Sequence, residues 1–224
     1  MVEGMIYILR TGCPWRDLPV VYGPWNSVYT RWRRWGQSGL WARLLRVVAR
    51  GARGKLRCVD TSHIKVHQDA SNPVGGQENQ AIGRTKGGLN TKLSAWVEGR
   101  GRAVSLSVAP GQVHDISIAQ TGVFPPLRGT ITVADKGYDS DPFRTQLARK
   151  GSRSCIPPRY NRLRLVRWHR GYYRKRHRVE NLFQRLKRYR RVGTRYDKND
   201  QYFLGFVQLA AILDWLKSDF ENTP

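Results

Sequence analysis

Near Lys55 the apolar residues of this 224-residue chain change period, and that change limits the fold more than any other feature. Before it, Trp25, Val28, Tyr29, Trp32 and Trp35 recur at helical spacing, the stripe of an amphipathic helix. Three helices are expected there: Val2–Leu9, closed by Gly12 and Pro14; one opened by Pro24 and running through Trp35; and Leu40–Val48. After it, Leu56, Cys58, Ile64 and Val66 alternate, as do Leu89–Val97 and Ala103–Ala109 across a hairpin turn at Glu98–Gly101. Thr130–Asp135 and Ser154–Ile156 read as further strands. Ile116–Val123, Pro142–Lys150, Tyr173–Arg190 and Tyr202–Leu216 read as helices, and Ser71–Gly88 as a mobile loop. The expected class is a mixed α/β domain over 55–219, preceded by a small helical module over 1–54 and followed by a tail at 220–224. That first module has two open readings. It is a helix-turn-helix-like reader of DNA, or a cap packing Trp25, Trp32, Trp35 and Trp41 on the next domain.

Charge narrows the choice of partner. Forty Lys and Arg stand against sixteen Asp and Glu, a formal net charge of +24. The excess is concentrated, since residues 151–195 carry 16 basic side chains and one acid. A like-charged run is ordinarily solvated or disordered. This one is threaded with Trp168, Tyr172, Tyr173, Val179, Leu182, Phe183, Leu186 and Tyr189, so a folded basic face is expected instead. Such a face points to a polyanion, above all nucleic acid. The three cysteines, Cys13, Cys58 and Cys155, lie far apart with no C-x-x-C pair, which excludes a disulfide framework and a cysteine zinc site and fits a reducing cytosol. No apolar run approaches the roughly 18 residues that a membrane span requires.

In so basic a chain the positions of the acids carry information. Asp60 sits mid-strand, Asp135 closes an apolar strand, and Glu180 is the lone acid of the basic block. An acid on a core strand is costly to desolvate unless it is paired or binds a cation. Glu180 follows Arg176 by four residues and Tyr173 by seven, and Lys187 lies seven beyond, so on a continuous helix all four share a face. Singly, each acid has an ordinary explanation: a helix ion pair for Glu180, capping or turn chemistry for Asp60 and Asp135.

Together they resemble a known family. Two strand-borne Asp residues and a helix-borne Glu resemble the arrangement of RNase H-like nucleotidyl transferases. Tyr173-x2-Arg176-x3-Glu180-x6-Lys187 matches, at all four positions, the signature of DDE transposases of bacterial insertion sequences. The segments Arg10–Pro19, Gly23-Pro-Trp25, Ala81–Arg84, Pro110–Asp115 and Ala134–Asp139 are similar to those of the insertion-sequence-five family. The resemblance implies an RNase H-like mixed sheet flanked by helices. It implies Asp60, Asp135 and Glu180 as catalytic residues holding two Mg²⁺ ions, with Mn²⁺ as a substitute. It implies metal-dependent cleavage of element ends and transfer of the 3′-OH into target DNA, on double-stranded DNA and by a homodimer, in the bacterial cytoplasm at the nucleoid. Tyr173, Arg176 and Lys187 are then expected to contact DNA, with Arg31, Arg33, Arg34, Arg178, Arg185 and Arg188 as further contacts. Family members carry several tens of residues ahead of the point matching Met1, so 1–54 is expected to be part of a larger recognition region.

The remaining chemistry-bearing residues have plainer expectations. His63 and His67 do not share a strand face with Asp60, which argues against zinc. Asp139 and Asp141 are expected to cap the helix near Pro142, His114-Asp115 to serve a turn rather than line the metal site, the other reading open to it, and His177 to be exposed. The rival to an active transposase is a catalytically inactive, truncated one that acts as a non-enzymatic DNA-binding protein. An RNA-binding protein would explain the charge but not the strand-embedded acids.

Overall fold

Alternation after Lys55 builds one mixed sheet, as the computed structural model shows; it describes residues 1–163 and 166–220, the side chains of 218–220 excepted. Beyond residue 220 the expected tail lies outside the described residues. Helices α1 (Val2–Thr11), α2 (Trp25–Gln37) and α3 (Leu40–Val48) come first. They are followed by β1 (Leu56–Val66), β2 (Gly83–Thr85), β3 (Gly88–Glu98), β4 (Ala103–Pro110), α4 (Asp115–Thr121), β5 (Thr130–Val133), α5 (Asp141–Arg149) and β6 (Ser152–Cys155). Short α6 (Arg170–Tyr173), α7 (His177–Lys187), short α8 (Arg190–Gly193), β7 (Thr194–Arg195) and long α9 (Asp200–Phe220) complete the order.

The central strand is β1. It pairs antiparallel with β3, from Arg57 opposite Glu98 to Lys65 opposite Asn90. Its other edge pairs parallel with β5, Leu56 with Ile131 through Cys58 with Val133, and β6 lies parallel beyond β5. On the far edge of β3 lie antiparallel β4 and, at one end, β2. Three antiparallel strands followed by two parallel ones make the RNase H-like sheet that the family resemblance implies. Because side chains alternate along a strand, Cys58, Asp60 and Ser62 share one face of β1, and Arg57, Val59 and Thr61 the other. The first face meets the segment Arg174–Lys187, through contacts at Cys58, Asp60 and Ser62.

The N-terminal helices are joined to this domain by α9. Trp32 stacks on Phe206 with ring centroids 3.9 Å apart, and Trp41 lies 5.1 Å from Trp32. Gly205 permits this approach, since a Cβ there would stand 3.1 Å from Trp41 and 3.2 Å from Trp32. The cap reading of the tryptophans therefore holds for Trp32 and Trp41, both buried, while Trp35 is half-buried. Trp25 departs from expectation: it is exposed on the first turn of α2, with the Arg16 guanidinium over its ring.

Two further expectations need correction. The stretch 71–88 is not a plain loop. It contains a 3-10 turn at Glu78–Gln80 and strand β2, tied to β3 by Asn90, whose Nδ2 donates to Thr85 Oγ1 and Gly88 O. Nor is Tyr173–Arg190 one helix. A 3-10 turn, Arg174–Arg176, separates α6 from α7, and α7 stops at Lys187. The tighter 3-10 winding changes the phase of side chains across the turn. Tyr173 consequently packs edge-on against Trp168, at 5.2 Å between centroids, rather than sharing one uninterrupted face with Glu180 and Lys187.

Candidate active site

Asp60 sits midway along β1, on the face turned to Arg174–Lys187, with its side chain 15% exposed. Its Oδ1 accepts from Thr61 N–H, and its Oδ2 accepts from Arg176 Nη1 at 2.5 Å. The same guanidinium donates through Nη2 to Glu180 Oε1, one turn further along. One planar fork thus links a strand carboxylate to a helix carboxylate, a geometry that suits Arg and not Lys. Burial alone pulls Arg176 down, but Asp60, Glu180 and Tyr173 together hold it above its ordinary value. Lys187, at the end of α7, donates from Nζ to Ser62 Oγ at 2.8 Å and to His63 O at 2.9 Å, and burial lowers its pKa.

Asp135 does not lie on β5, which ends at Val133. It opens the 3-10 turn Lys136–Tyr138, where its Oδ1 accepts from Gly137 N–H at 2.8 Å. Electrostatically it belongs with Asp60. The Asp60 carboxyl is pushed up from 3.8 to about 6, first by burial; Thr61 N–H and Arg176 oppose the rise, and Asp135 and Asp115 add to it. Tyr138, fully buried on the same turn, is raised in turn by burial and by Asp60, Asp115 and Asp135.

Residues not singled out from sequence hold this turn in place. Arg159 donates to Lys136 O and Gly137 O, gripping the carbonyl of the peptide whose N–H donates to Asp135 and the carbonyl that follows it. Asp139 was expected to cap α5. Ser140 does that instead, accepting from Phe143 N–H. Asp139, its side chain 1% exposed, accepts from Arg144 at 2.9 Å, from Arg162 at 2.7 Å and from Arg159 N–H at 2.8 Å. Burial works against its charge, but these donors keep its pKa low. Asp141 is the first residue of α5 and pairs with Arg162. Asp115 is also more than a turn residue. It starts α4, pairs with Lys92 Nζ at 2.7 Å, and its field reaches Asp60.

The expected DNA contacts divide by environment. Arg31, Arg33 and Arg34 are exposed on α2, Arg31 over Trp35 and Arg33 over Tyr29, with Arg33 Nε donating to Tyr202 Oη. Arg188 is exposed and Arg178 half-buried. Arg185 is engaged within the protein though its side chain is 36% exposed, with Nε and Nη2 on the two oxygens of Asp214 and Nη2 also on Gly101 O. His63 Nδ1 meets Asn90 Oδ1, His67 Nδ1 accepts from Asp69 N–H, and His177 is exposed. Among the described residues no three His, Cys, Asp or Glu side chains stand in a metal-holding array, and the Arg176 guanidinium lies between Asp60 and Glu180. The donors themselves are all carboxylate oxygens, the hard ligands that Mg²⁺ and Mn²⁺ take, so their chemistry fits such an ion.

The strand order, three antiparallel strands and two parallel ones flanked by helices, defines an RNase H-like α/β domain. The chain belongs to the transposase DDE domain family, whose model matches residues 51–215; a model for transposases of the IS4/5 family matches residues 1–45. It is 32% identical over 133 residues to a protein described as a transposase for insertion sequence element IS6501 of Brucella ovis, covering 58% of this chain and 100% of that protein. A protein of insertion element IS402 of Burkholderia cepacia is 34% identical over 90 residues, or 38% of this chain and 56% of that one. Among solved structures, the piggyBac transposase synaptic complex with hairpin DNA aligns at a TM-score of 0.48 and 11% identity. That alignment covers 75% of this chain and 48% of the other, about half its length. No helix among the described residues is long and apolar enough to cross a membrane.

Proposed function

We propose that this chain cuts the ends of an insertion sequence and joins the freed 3′-OH to target DNA, with Asp60, Asp135 and Glu180 as its catalytic carboxylates. The observation that carries this reading is the single guanidinium shared by Asp60 and Glu180, with Asp135 in electrostatic contact with Asp60. Asp60 and Glu180, 120 residues apart in sequence, share that guanidinium on the face of β1 that meets the cationic stretch, and Asp135 raises the Asp60 pKa, which supports the reading. Asp60, Asp135 and Glu180 would hold Mg²⁺ or Mn²⁺, which when bound supplies Lewis-acid stabilisation of the attacking and leaving oxygens.

This chain's own groups do the positioning. The sheet holds Asp60 rigidly, while Arg159 and Gly137 fix Asp135. Arg176, bonded to Asp60 and Glu180, and Lys187, bonded to Ser62 on the same strand face, are the cations that would meet backbone phosphate there. In the first reaction water attacks the phosphodiester at an element end; the P–O3′ bond breaks and leaves a 3′-OH and a 5′-phosphate. In the second that 3′-OH attacks a target phosphate and displaces a target 3′-oxygen. The substrate is double-stranded DNA, element ends and target alike, and a dimer would bring two ends together. Arg31, Arg33, Arg34 and Arg188 are exposed for backbone contact, and residues 1–54 would serve as the DNA-facing module.

The test is strand cleavage of end-containing duplexes with Mg²⁺ or Mn²⁺. Asp60→Asn, Asp135→Asn and Glu180→Gln should each abolish cutting and leave duplex binding in place. Normal cutting by any of them overturns the assignment. A second reading, a DNA-binding protein without catalysis, draws on Arg176 standing between two of the acids. Wild-type protein that binds ends but never cuts them would favour it.

A further inference from the structure

A second cationic site lies away from the carboxylates. A cavity of about 610 Å³ opens where the end of α3 meets the start of β1 and β4. Arg43, Arg46, Arg50 and Arg57 line it, over an apolar floor that includes Val47 and Val104, and no acid is among its lining residues. Arg43, Arg46 and Arg50 are exposed, on α3 and the turn after it. Arg57 is different, being only 8% exposed. Its Nη1 donates to Leu56 O at 2.8 Å and Gly54 O at 3.1 Å, whereas its buried Nε has no hydrogen-bond partner.

The acid across the strand pair is Glu98, whose Oε1 accepts from Arg100 N–H, Arg102 N–H and Arg102 Nε, and whose buried Oε2, like Arg57 Nε, has no hydrogen-bond partner. Burial lowers the Arg57 pKa, and Glu98 offsets this only in part. A buried, incompletely bonded cation is costly in an isolated protein. It becomes favourable when an anion completes it, and planar guanidinium groups suit phosphate oxygens.

We infer that this cavity is a phosphate-binding site, separate from the carboxylate site, which takes a backbone phosphate of DNA. Arg57 projects from the face of β1 opposite Asp60 and lies three residues away, roughly 10 Å along the strand. A phosphate held there is therefore not the one facing Asp60. Four guanidinium groups exceed what one phosphodiester oxygen pair needs, so adjacent phosphates of one strand can share them. The apolar floor accommodates the sugar between them.

The inference is independent of catalysis and is tested in EDTA on the full chain. Inorganic phosphate, a deoxynucleoside 5′-monophosphate and duplex DNA are compared with chloride at equal ionic strength. In wild type, phosphate at ten times its dissociation constant should raise the unfolding midpoint by about 3–6 °C. Arg43→Gln/Arg46→Gln/Arg50→Gln, changed only at exposed positions, should fold normally and lose that rise. Its duplex binding should lose about two to three units of salt slope. Arg57→Met should also lose the response, without lower stability in phosphate-free buffer. Displacement of phosphate by duplex identifies the DNA backbone as the source. Displacement by the mononucleotide alone keeps the phosphate site but overturns DNA as its occupant. Equal phosphate response in wild type and the triple variant overturns the site itself, whatever the cleavage assays show.

Discussion

Asp60→Asn should change how stability depends on pH, by an amount that follows from the burial of one carboxyl. The folded pKa is about 6 against an ordinary 3.8. Between those values the folded protein holds a proton that the unfolded chain has released. The favourable contribution is therefore complete below the unfolded value and is lost as pH rises through the folded one. A gap of about two pH units, at about 1.36 kcal/mol each, makes the cost of the charged form about 3 kcal/mol at neutral pH. Arg176 already opposes the rise, so this is a net figure. Asparagine keeps the shape of the side chain and cannot ionise. In urea titrations with EDTA present, the stability of Asp60→Asn relative to wild type should grow by about 2–2.5 kcal/mol from about pH 4 to pH 7. Carboxylates distant from Asp60 titrate alike in both proteins and cancel in the difference. Parallel profiles across that range would refute the burial argument, and with it the placement of Asp60 as a desolvated, strand-held acid.

Other consequences concern neighbours of the site. Arg176→Gln removes the cation that competes for Asp60 and Glu180, so Mn²⁺ should bind the DNA-free protein about fivefold more tightly, equivalent to about 1 kcal/mol, as read by electron paramagnetic resonance. Asp139→Ala leaves Arg144 and Arg162 without their shared buried acceptor and should cost about 3–5 kcal/mol in a urea titration. Trp32→Ala opens the stack on Phe206 between the N-terminal helices and α9, and calorimetry should show a loss of about 3–5 kcal/mol.

Much of this architecture was legible from periodicity. Alternation through Leu56 and Cys58 places Asp60 mid-strand, and the four-residue spacing of Arg176 and Glu180 forms the ion pair it implies. What escaped was chemistry set by distant partners. Arg185 looks like any exposed arginine of the basic stretch until Asp214, on another helix, takes its guanidinium. Asp139 resembles a helix cap because Pro142 follows. Its real role depends on Arg159 and Arg162, some twenty residues later. Strand β2 is three residues long and begins with glycine, so no alternation can announce it; the register comes from Asn90 on its partner. The anion cavity draws one wall from a strand and another from a helix end, and no local pattern reports that meeting. A signal did exist for the turn of Asp135. Arg159 and Arg162 sit in an otherwise unpatterned stretch, where two arginines have no helix face to solvate.

The central claim is that the oxygens of Asp60, Asp135 and Glu180 form one cation site once Arg176 withdraws. Anomalous diffraction from crystals soaked in Mn²⁺ measures this directly. A manganese peak bounded by the three carboxylates, with the Arg176 guanidinium turned off Asp60, is the predicted result. Manganese bound elsewhere, with Arg176 still bridging Asp60 and Glu180, would contradict it.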